Sequence, residues 1–343
     1  MSILGNRVER IEDERMLTVG GDFVGDVVLP GQCHATFVTS TVAHGRIESI
    51  DLDDARAMPG VLGVFTNDDL GLPTLPAGAA GDAGRPALAT DRVRYVGEPI
   101  VAVVAETAAA AIDAAEMVVV DYDFLPAVVD PSTAGADPTV LHDDRDSNVV
   151  FARPRRTEVD FSACDVVIEQ DIVNQRVAPC PIEPRVAAAT WEDGRLVQWA
   201  SSQGSHTVKD ALVEFHSLEP ADVRVVTPDV GGGFGAKATV HPEEYVIGAL
   251  SRAVGRPVVW SETRSQNMVG MVQGRAQLQH VTMGGTRDGR ITHYRLDMVQ
   301  DGGAWPDVGI QLPYFTAMMR TGVYRIDHSD TSTQSVLTTT TPI

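Results

Sequence analysis

Residues 229–237 read D-V-G-G-G-F-G-A-K, with four glycines among the five residues 231–235. Glycine loses more conformational entropy on folding than any other residue, so a cluster of glycines in a globular chain has a cost. Two explanations compete: a tight turn, or a ligand that lies against the main chain. Successive amide groups in such a turn can hold an anion or a metal-bound oxygen.

The glycine cluster partly matches the dinucleotide-binding fingerprint G-x-G-x-x-[G/A] through Gly231, Gly233 and Ala236. It follows an apolar run, and Glu262 stands downstream where a ribose-binding acid could sit. However, Pro228 interrupts the run before the turn, and Glu262 comes several residues late. A nicotinamide-dependent dehydrogenase is therefore a weak hypothesis, and a plain tight turn remains an alternative.

Composition limits the classes of function. The 343 residues include 27 Lys and Arg against 47 Asp and Glu, a formal net charge of −20. Nucleic-acid binding depends on Lys and Arg that neutralise phosphates, so this balance argues against a nucleic-acid partner. With 43% hydrophobic residues, the sequence is that of a globular protein long enough for two domains.

Other features predict where the protein works. The stretch MSILGNRVERIEDER (1–15) is charged and has no apolar core, so it does not predict a signal peptide. No window approaches the ~18 uninterrupted apolar residues of a membrane span. Cys33, Cys164 and Cys180 lack the short spacings of zinc sites and disulfide frameworks. We therefore expect a cytoplasmic protein without a membrane span.

The first 130 residues interleave short helices with strands, which indicates an α/β or α+β module. Gly, Ala and Pro are frequent at 71–90, where we predict a loop. The predicted strands cover 31–40, 46–52, 61–65, 96–106 and 118–130, and the predicted helices cover 53–60 and 107–117.

Residues 131–160 are rich in Pro, Ala, Asp, Arg and Ser, which predicts a linker or surface crossing. The last stretch, STQSVLTTTTPI (332–343), is β-prone, and we expect it to belong to an unfinished domain. Between these regions we predict strands at 165–175, 185–201, 223–230, 256–262 and 293–303, helices at 205–218 and 241–255, and hairpin turns at 192–194 and 285–291.

Six further segments follow one another in a recognisable order. They are RVERIEDERMLTVGGDFVGDV (7–27), LPGQCHATFVTSTVAHGRIESID (29–51), RYVGEPIVAVVAET (94–107), PIEPR (181–185), SSQGSHTVKDALVEFHSLEPADVRVVTPDVGGGFGAK (201–237) and GRPVVWSETRSQNM (255–268). Together they resemble the molybdenum-binding large subunit of the xanthine dehydrogenase, aldehyde oxidase and carbon monoxide dehydrogenase family.

The resemblance implies an α+β (mixed α/β) fold in two parts. An N-terminal α/β-hammerhead domain is expected at 1–130, and a linker at 131–160. The first part of a molybdopterin cofactor-binding domain is expected at 161–343, truncated at its C-terminus.

The resemblance also implies roles for particular residues. Gln203 would lie beside the molybdenum and Phe234 near its oxo ligand, neither being a direct ligand. An amide can donate a hydrogen bond to a metal-bound oxygen without adding charge. The alternatives are an exposed loop residue for Gln203 and a core side chain for Phe234. By adjacency alone, the further candidates for cofactor contact are Gly232, Gly233, Gly235 and Ala236.

Nearby charged residues favour structural roles. We expect Glu183 and Arg185 to form a structural ion pair. His206, His216 and His241 share no metal-ligand spacing, so we expect helix-surface or cap positions for them.

The function implied by the resemblance is oxidation of an aldehyde, an aromatic heterocycle or carbon monoxide with oxygen from water. The cofactor would be molybdopterin, in its cytosine dinucleotide form, with molybdenum. FAD and 2Fe-2S clusters would lie on a medium and a small partner subunit, assembled as a dimer of heterotrimers. Purine-oxidising members carry a glutamate after the motif lysine, whereas Ala238 follows Lys237 here. Purines are therefore disfavoured.

Members of the family continue well beyond the length of this chain, through an arginine-containing loop to a late glutamate that acts as general base. We therefore expect an N-terminal half, truncated or encoded separately, that needs a C-terminal half. No catalytic residue is assigned within it. The alternative is an inactive or scaffold half-subunit.

Overall fold

The computed structural model describes residues 4–76 and 84–343, and the predicted loop at 71–90 lies partly outside them. Fifteen strands of this described part form three sheets. The strands are β1 (Cys33–Thr39), β2 (Gly45–Asp51), β3 (Val61–Phe65), β4 (Arg92–Val93), β5 (Pro99–Ala105), β6 (Val119–Phe124), β7 (Val149–Arg153), β8 (Val166–Asn174), β9 (Val186–Glu192), β10 (Arg195–Ala200), β11 (Val223–Val226), β12 (Val258–Ser261), β13 (Gln277–Gly285), β14 (Ile291–Asp301) and β15 (His328–Val336).

Helices pack on these sheets, which confirms the mixed α/β class. Within the described residues, none is long and apolar enough to cross a membrane. The helices are α1 (Asp13–Thr18), α2 (Asp53–Ala57), α3 (Asn67–Leu70), α4 (Ala108–Glu116), α5 (Pro131–Ala134), α6 (Ser205–His216), α7 (Pro242–Val254), α8 (Arg264–Gly270) and α9 (Leu312–Met318).

The largest sheet has seven strands in the order β11-β10-β9-β12-β1-β5-β3. Strands from both predicted domains share it, because β1 pairs with β12 in parallel and with β5 in antiparallel orientation. β5 lies in the long apolar run predicted as a strand, and all seven of its residues are buried. Alternate side chains of a strand point to opposite faces, so β5 contributes to two cores.

The two cores lie on opposite faces of β5. Ala102 and Val104 belong to a core with α6 and α7, which includes Leu212 and Leu250. Val103 belongs to the other core, where α2, α4 and the three-stranded sheet β4-β2-β6 cover the strand. Burial on both faces explains why this strand is apolar throughout.

The third sheet has five strands in the order β7-β15-β14-β13-β8. β7 lies inside the segment 131–160 and pairs with β15, which corrects the prediction of a linker there. The polar composition of that segment favoured a linker in the prediction, although five of its residues form a strand that pairs with residues far along the chain. The β-prone stretch 332–343 is a strand only in its first part, since β15 begins at His328 and ends at Val336.

Several local predictions are confirmed. The hairpin between β9 and β10 turns at Asp193 and Gly194, whose φ angles of 50° and 82° are left-handed. α7 begins with Pro242 and is followed by Gly255, with φ of 66°. Pro has no amide to lose at the first turn, and Gly accepts the left-handed terminus.

A buried ion cluster joins β9, α7 and β12. Arg185 donates to Glu243 at 2.8 and 3.1 Å, and its Nε lies 3.0 Å from Glu262 Oε1. The Arg185 side chain is 1% exposed, with Glu243 at 7% and Glu262 at 0%. Burial opposes the charge on Arg185, yet the two carboxylates hold its pKa above the ordinary value. The expected pair between Glu183 and Arg185 is therefore wrong: Arg185 binds acids from α7 and β12.

Substitution Arg185→Met should destabilise the chain by about 3–5 kcal/mol, because two buried carboxylates would lose their cation. The measurement is urea unfolding followed by circular dichroism. Arg290→Met, at a 64% exposed arginine whose ion pair is open to water, is the control and should change little. Equal losses for both variants would contradict the structural role of Arg185.

The pH dependence of stability provides a second test. Burial lowers the pKa of His216 from 6.5 to about 4. The unfolded chain therefore takes up this proton at a higher pH than the folded chain, and stability falls as pH drops through that window. As the pH falls from about 7 to 5, the wild type should lose up to about 2 kcal/mol more unfolding free energy than His216→Leu. His206→Leu, at an exposed position of the same helix, is the control; an unchanged pH profile in the His216 variant would contradict the assignment.

Candidate functional site

The glycine-rich stretch forms a loop between β11 and α7. Gly232, Phe234 and Gly235 have φ angles of 106°, 54° and 92°. Such left-handed backbone favours glycine, which explains part of the cluster. Phe234 adopts it without being glycine, so its position is held by the surrounding structure.

Gln203 is fastened to this loop. Its side-chain Oε1 accepts the N–H of Gly235 at 2.8 Å and that of Lys237 at 3.3 Å. Its own backbone N–H donates to the carbonyl of Lys237 at 2.9 Å. Two backbone donors identify the carbonyl end of the amide, so the NH2 end is the free one. Within the described residues it has no partner, and Gln203 is exposed.

Close packing explains why residue 233 is glycine. A Cβ there would lie 2.4 Å from Gln203 Oε1. Gly233 is buried, yet its N–H has no acceptor in the part of the chain that the structure describes. Buried backbone donors are almost always paired, so this one is a candidate for a ligand.

The other predicted contact residues differ in what they offer. The N–H groups of Gly232 and Phe234 also lack acceptors among the described residues. In contrast, Gly235 donates to Gln203, and Ala236 donates to the carbonyl of Gly233 at 3.0 Å. The free main-chain donors are therefore at 232–234.

Phe234 presents its ring to solvent. The side chain is 75% exposed, so it does not fill the core of the described structure. A Cβ at Gly232 would meet the ring at 3.0 Å, which shows that the ring lies against the loop itself. The exposed ring and the left-handed backbone make Phe234 a candidate for ligand contact.

A buried cluster supports the loop from behind. Lys237 Nζ donates to Ser201 Oγ at 2.7 Å, to Glu183 Oε2 at 3.0 Å and to the Glu183 carbonyl at 2.8 Å. Glu183 Oε2 also accepts from Ser201 at 2.6 Å and from the N–H of Gly231 at 2.8 Å. Burial lowers the pKa of Lys237. Glu183 thus binds Lys237, and the two residues tie the loop to the start of β9.

His241 fastens the far end of the loop. Its Nε2 lies 2.7 Å from the carbonyl oxygen of Ala236, which only accepts, so Nε2 carries the proton. Burial lowers the pKa of His241 well below its usual value, which keeps the ring neutral. The residue is the N-cap of α7, as predicted, but the contact of its ring with the loop was missed.

The remaining sequence candidates lie apart from the loop. His206 is exposed on α6, whereas His216 is not a surface residue, since its ring packs edge-on against Trp191 and Phe215. Glu262 is buried against Arg185, so it does not face a ribose site. Within the described residues, no group of three His, Cys, Asp or Glu side chains could hold a metal ion, and Cys33, Cys164 and Cys180 are unpaired.

Two glycine substitutions distinguish the packing role from backbone strain. Gly233→Ala should push the Gln203 amide away and speed hydrogen exchange at the amides of Gly235 and Lys237, since a Cβ would lie 2.4 Å from Gln203 Oε1. Gly235→Ala should cost about 1–2 kcal/mol through its left-handed backbone. It should leave Gln203 in place, because a Cβ there meets nothing within 4 Å. Slow exchange at both amides in Gly233→Ala would contradict the packing argument.

Comparison with known proteins identifies the two parts of the fold. The profile of the family described as "Molybdopterin cofactor-binding domain" matches residues 141–343. That of "Aldehyde oxidase and xanthine dehydrogenase, a/b hammerhead domain" matches residues 20–126. The two-part fold expected from the sequence is thereby confirmed.

Individual relatives extend the match over the whole chain. The nicotine 6-hydroxylase large subunit of Paenarthrobacter nicotinovorans is 35% identical over 100% of this chain and 44% of its own length. The carbon monoxide dehydrogenase large chain of Hydrogenophaga pseudoflava is 32% identical over 96% and 44%. The crystal structure of quinoline 2-oxidoreductase from Pseudomonas putida 86 superposes with a TM-score of 0.91 at 33% identity, covering 100% of this chain and 45% of that one.

The chain thus spans less than half the length of these relatives. The matches to family profiles, the sequence identity to the relatives and the shared fold all point to the family that the glycine loop and the colinear segments resemble. The chain belongs to the molybdenum-binding large subunits of the xanthine dehydrogenase, aldehyde oxidase and carbon monoxide dehydrogenase family, of which it covers the N-terminal portion.

Proposed function

We propose that this chain is the N-terminal half of the molybdenum-binding subunit of a hydroxylase that oxidises an aromatic heterocycle or an aldehyde with oxygen from water. The observation that carries the proposal is the free NH2 group of Gln203, fixed by the loop beside the unpaired amides of 232–234. These donors suit a cofactor with a metal-bound oxygen and an anionic pterin side chain.

Each part of the site has a distinct task. The Gln203 amide orients the metal centre through a hydrogen bond that adds no charge. The amides of Gly232, Gly233 and Phe234 hold the cofactor through the main chain, while Gly235 and Ala236 shape the turn. The Phe234 ring, which is 75% exposed in this chain, would form an apolar wall beside the cofactor. When bound, the molybdenum cofactor supplies the two-electron redox chemistry.

Support for the substrate class comes from the relatives and from one residue. Two of them are named for nicotine and quinoline. Ala238 stands after the motif lysine, where it offers no carboxylate to a purine ring. We therefore favour an aromatic nitrogen heterocycle other than a purine; carbon monoxide, for which another relative is named, is a further candidate.

The proposed partners rest on how much of its relatives' length this chain covers. The chain spans 44% of the nicotine 6-hydroxylase large subunit, so we propose that the C-terminal half of the subunit, whether it continues this chain or is encoded separately, carries the general base. An FAD-binding medium subunit and a 2Fe-2S small subunit would receive the electrons in a dimer of heterotrimers. The cofactor would be the cytosine dinucleotide form, and the complex would work in the cytoplasm, which suits three unpaired cysteines.

The test is production of the chain together with the C-terminal half and the two partner subunits in a host that makes the cofactor, followed by molybdenum and pterin analysis. Gln203→Ala should retain the cofactor, because the main-chain donors remain, but should lower kcat by on the order of 10²–10³. Gln170→Ala, at an exposed glutamine of β8, is the control and should match the wild type. Unchanged kcat in Gln203→Ala would contradict the role of this residue.

If the purified complex contained no molybdenum or pterin, the proposal would be wrong and an inactive or scaffold half-subunit would be favoured.

Calorimetry with NAD tests the hypothesis of a nicotinamide-dependent dehydrogenase. We expect no heat of binding, because Glu262 is occupied by Arg185. Saturable NAD binding would restore that hypothesis.

A further inference from the structure

A basic cavity lies between β10, β11 and the first turn of α6. Its volume is about 500 Å³, which is within the range of small-molecule sites. Arg195 lines it from β10, Arg224 from β11, and His206 and Lys209 from α6. Neither Gln203 nor any residue of the glycine loop contributes to its wall.

The charge of this cavity is opposite to that of the chain. The whole sequence has a net charge of −20, yet the wall contains three arginine or lysine side chains, a histidine and no carboxylate. Like charges gathered in a concavity repel one another and focus a positive potential, which an anion would relieve.

The basic side chains have few partners of their own. Arg195 donates through Nε to the carbonyl of Ala221 at 3.2 Å, which leaves the rest of its guanidinium group free. In the described part of the chain, no hydrogen bond or ion pair involves the side chain of Lys209 or Arg224. The acids adjacent to wall residues along the chain, Asp210, Glu219 and Asp222, do not line the cavity.

The first turn of α6 adds donors at the same place. Ser205 and His206 begin this 12-residue helix and line the cavity, and the N-cap residue Gly204 gives no side-chain cap. The first amides of a helix have no intrahelical acceptor and carry partial positive charge. The helix alone would not define a site, but here its first residues line a cavity that three cationic side chains also line.

From this arrangement we propose that the cavity binds a small phosphorylated anion, a phosphate or diphosphate group with or without an attached nucleoside. Guanidinium groups match the oxygens of phosphate in pairs, and Lys209 adds a point charge. The cavity is open to solvent, and its volume suits a small ligand. The site does not depend on molybdenum, so it stands or falls separately from the proposed function.

The experiment is isothermal titration of the full chain with sodium pyrophosphate, inorganic phosphate and cytidine diphosphate. We expect saturable binding of pyrophosphate at low ionic strength that weakens as salt is added. Arg195→Gln/Lys209→Gln/Arg224→Gln should weaken it by at least about tenfold, because each removed cation loses a charge-assisted contact. Tighter binding of cytidine diphosphate would identify a nucleotide ligand, and equal affinity would identify the phosphate group alone.

A matched control separates this site from general attraction. Arg10→Gln/Arg290→Gln/Arg325→Gln removes the same charge from arginines that are 61%, 64% and 91% exposed elsewhere. It should bind pyrophosphate like the wild type, and circular dichroism should show both triple variants folded. No pyrophosphate binding by the wild type, equal weakening in both triple variants, or binding of a glutamate-rich peptide instead of pyrophosphate would overturn the proposal.

Discussion

The buried guanidinium of Arg185 is the constraint on which the site depends. It satisfies Glu243 at the start of α7 and Glu262 after β12, and thereby fixes a helix and two strands in one place. An isolated charge in such a position would be very costly, so the three groups hold one another in register. The glycine loop connects β11 to α7, the helix that contains Glu243. The ion cluster therefore holds the C-terminal end of the loop in place.

The loop itself is held from three sides. Lys237 and Glu183 tie it to β9, His241 closes its far end, and Gln203 spans its middle. These contacts pair the polar side-chain groups of Lys237, Glu183 and His241 with the loop and with the strands beside it. Among the described residues, the groups left unpaired are the Gln203 NH2 and the amides of 232–234. A site held in advance in this way binds its ligand without the entropic cost of ordering the loop.

Much of the fold followed from local patterns. The apolar run of β5, the alanine-rich α4 with its cap at Thr107, and α7 between Pro242 and Gly255 were all predicted, because propensity, capping and burial agree there. Short α8 and α9 and strand β7 were missed. Such elements owe their stability to packing against distant residues, so their own sequences carry little periodicity.

The sequence by itself determined the family, the mixed α/β class and the position of the glycine loop, because motif order and glycine content are properties of the chain. Only the tertiary structure decided which charges meet. Glu183 forms an ion pair with Lys237, and Arg185 forms ion pairs with two acids that lie more than fifty residues away in the chain. Pairing among buried charges depends on which elements arrive next to each other, and burial makes each group bind whichever partner removes its desolvation cost.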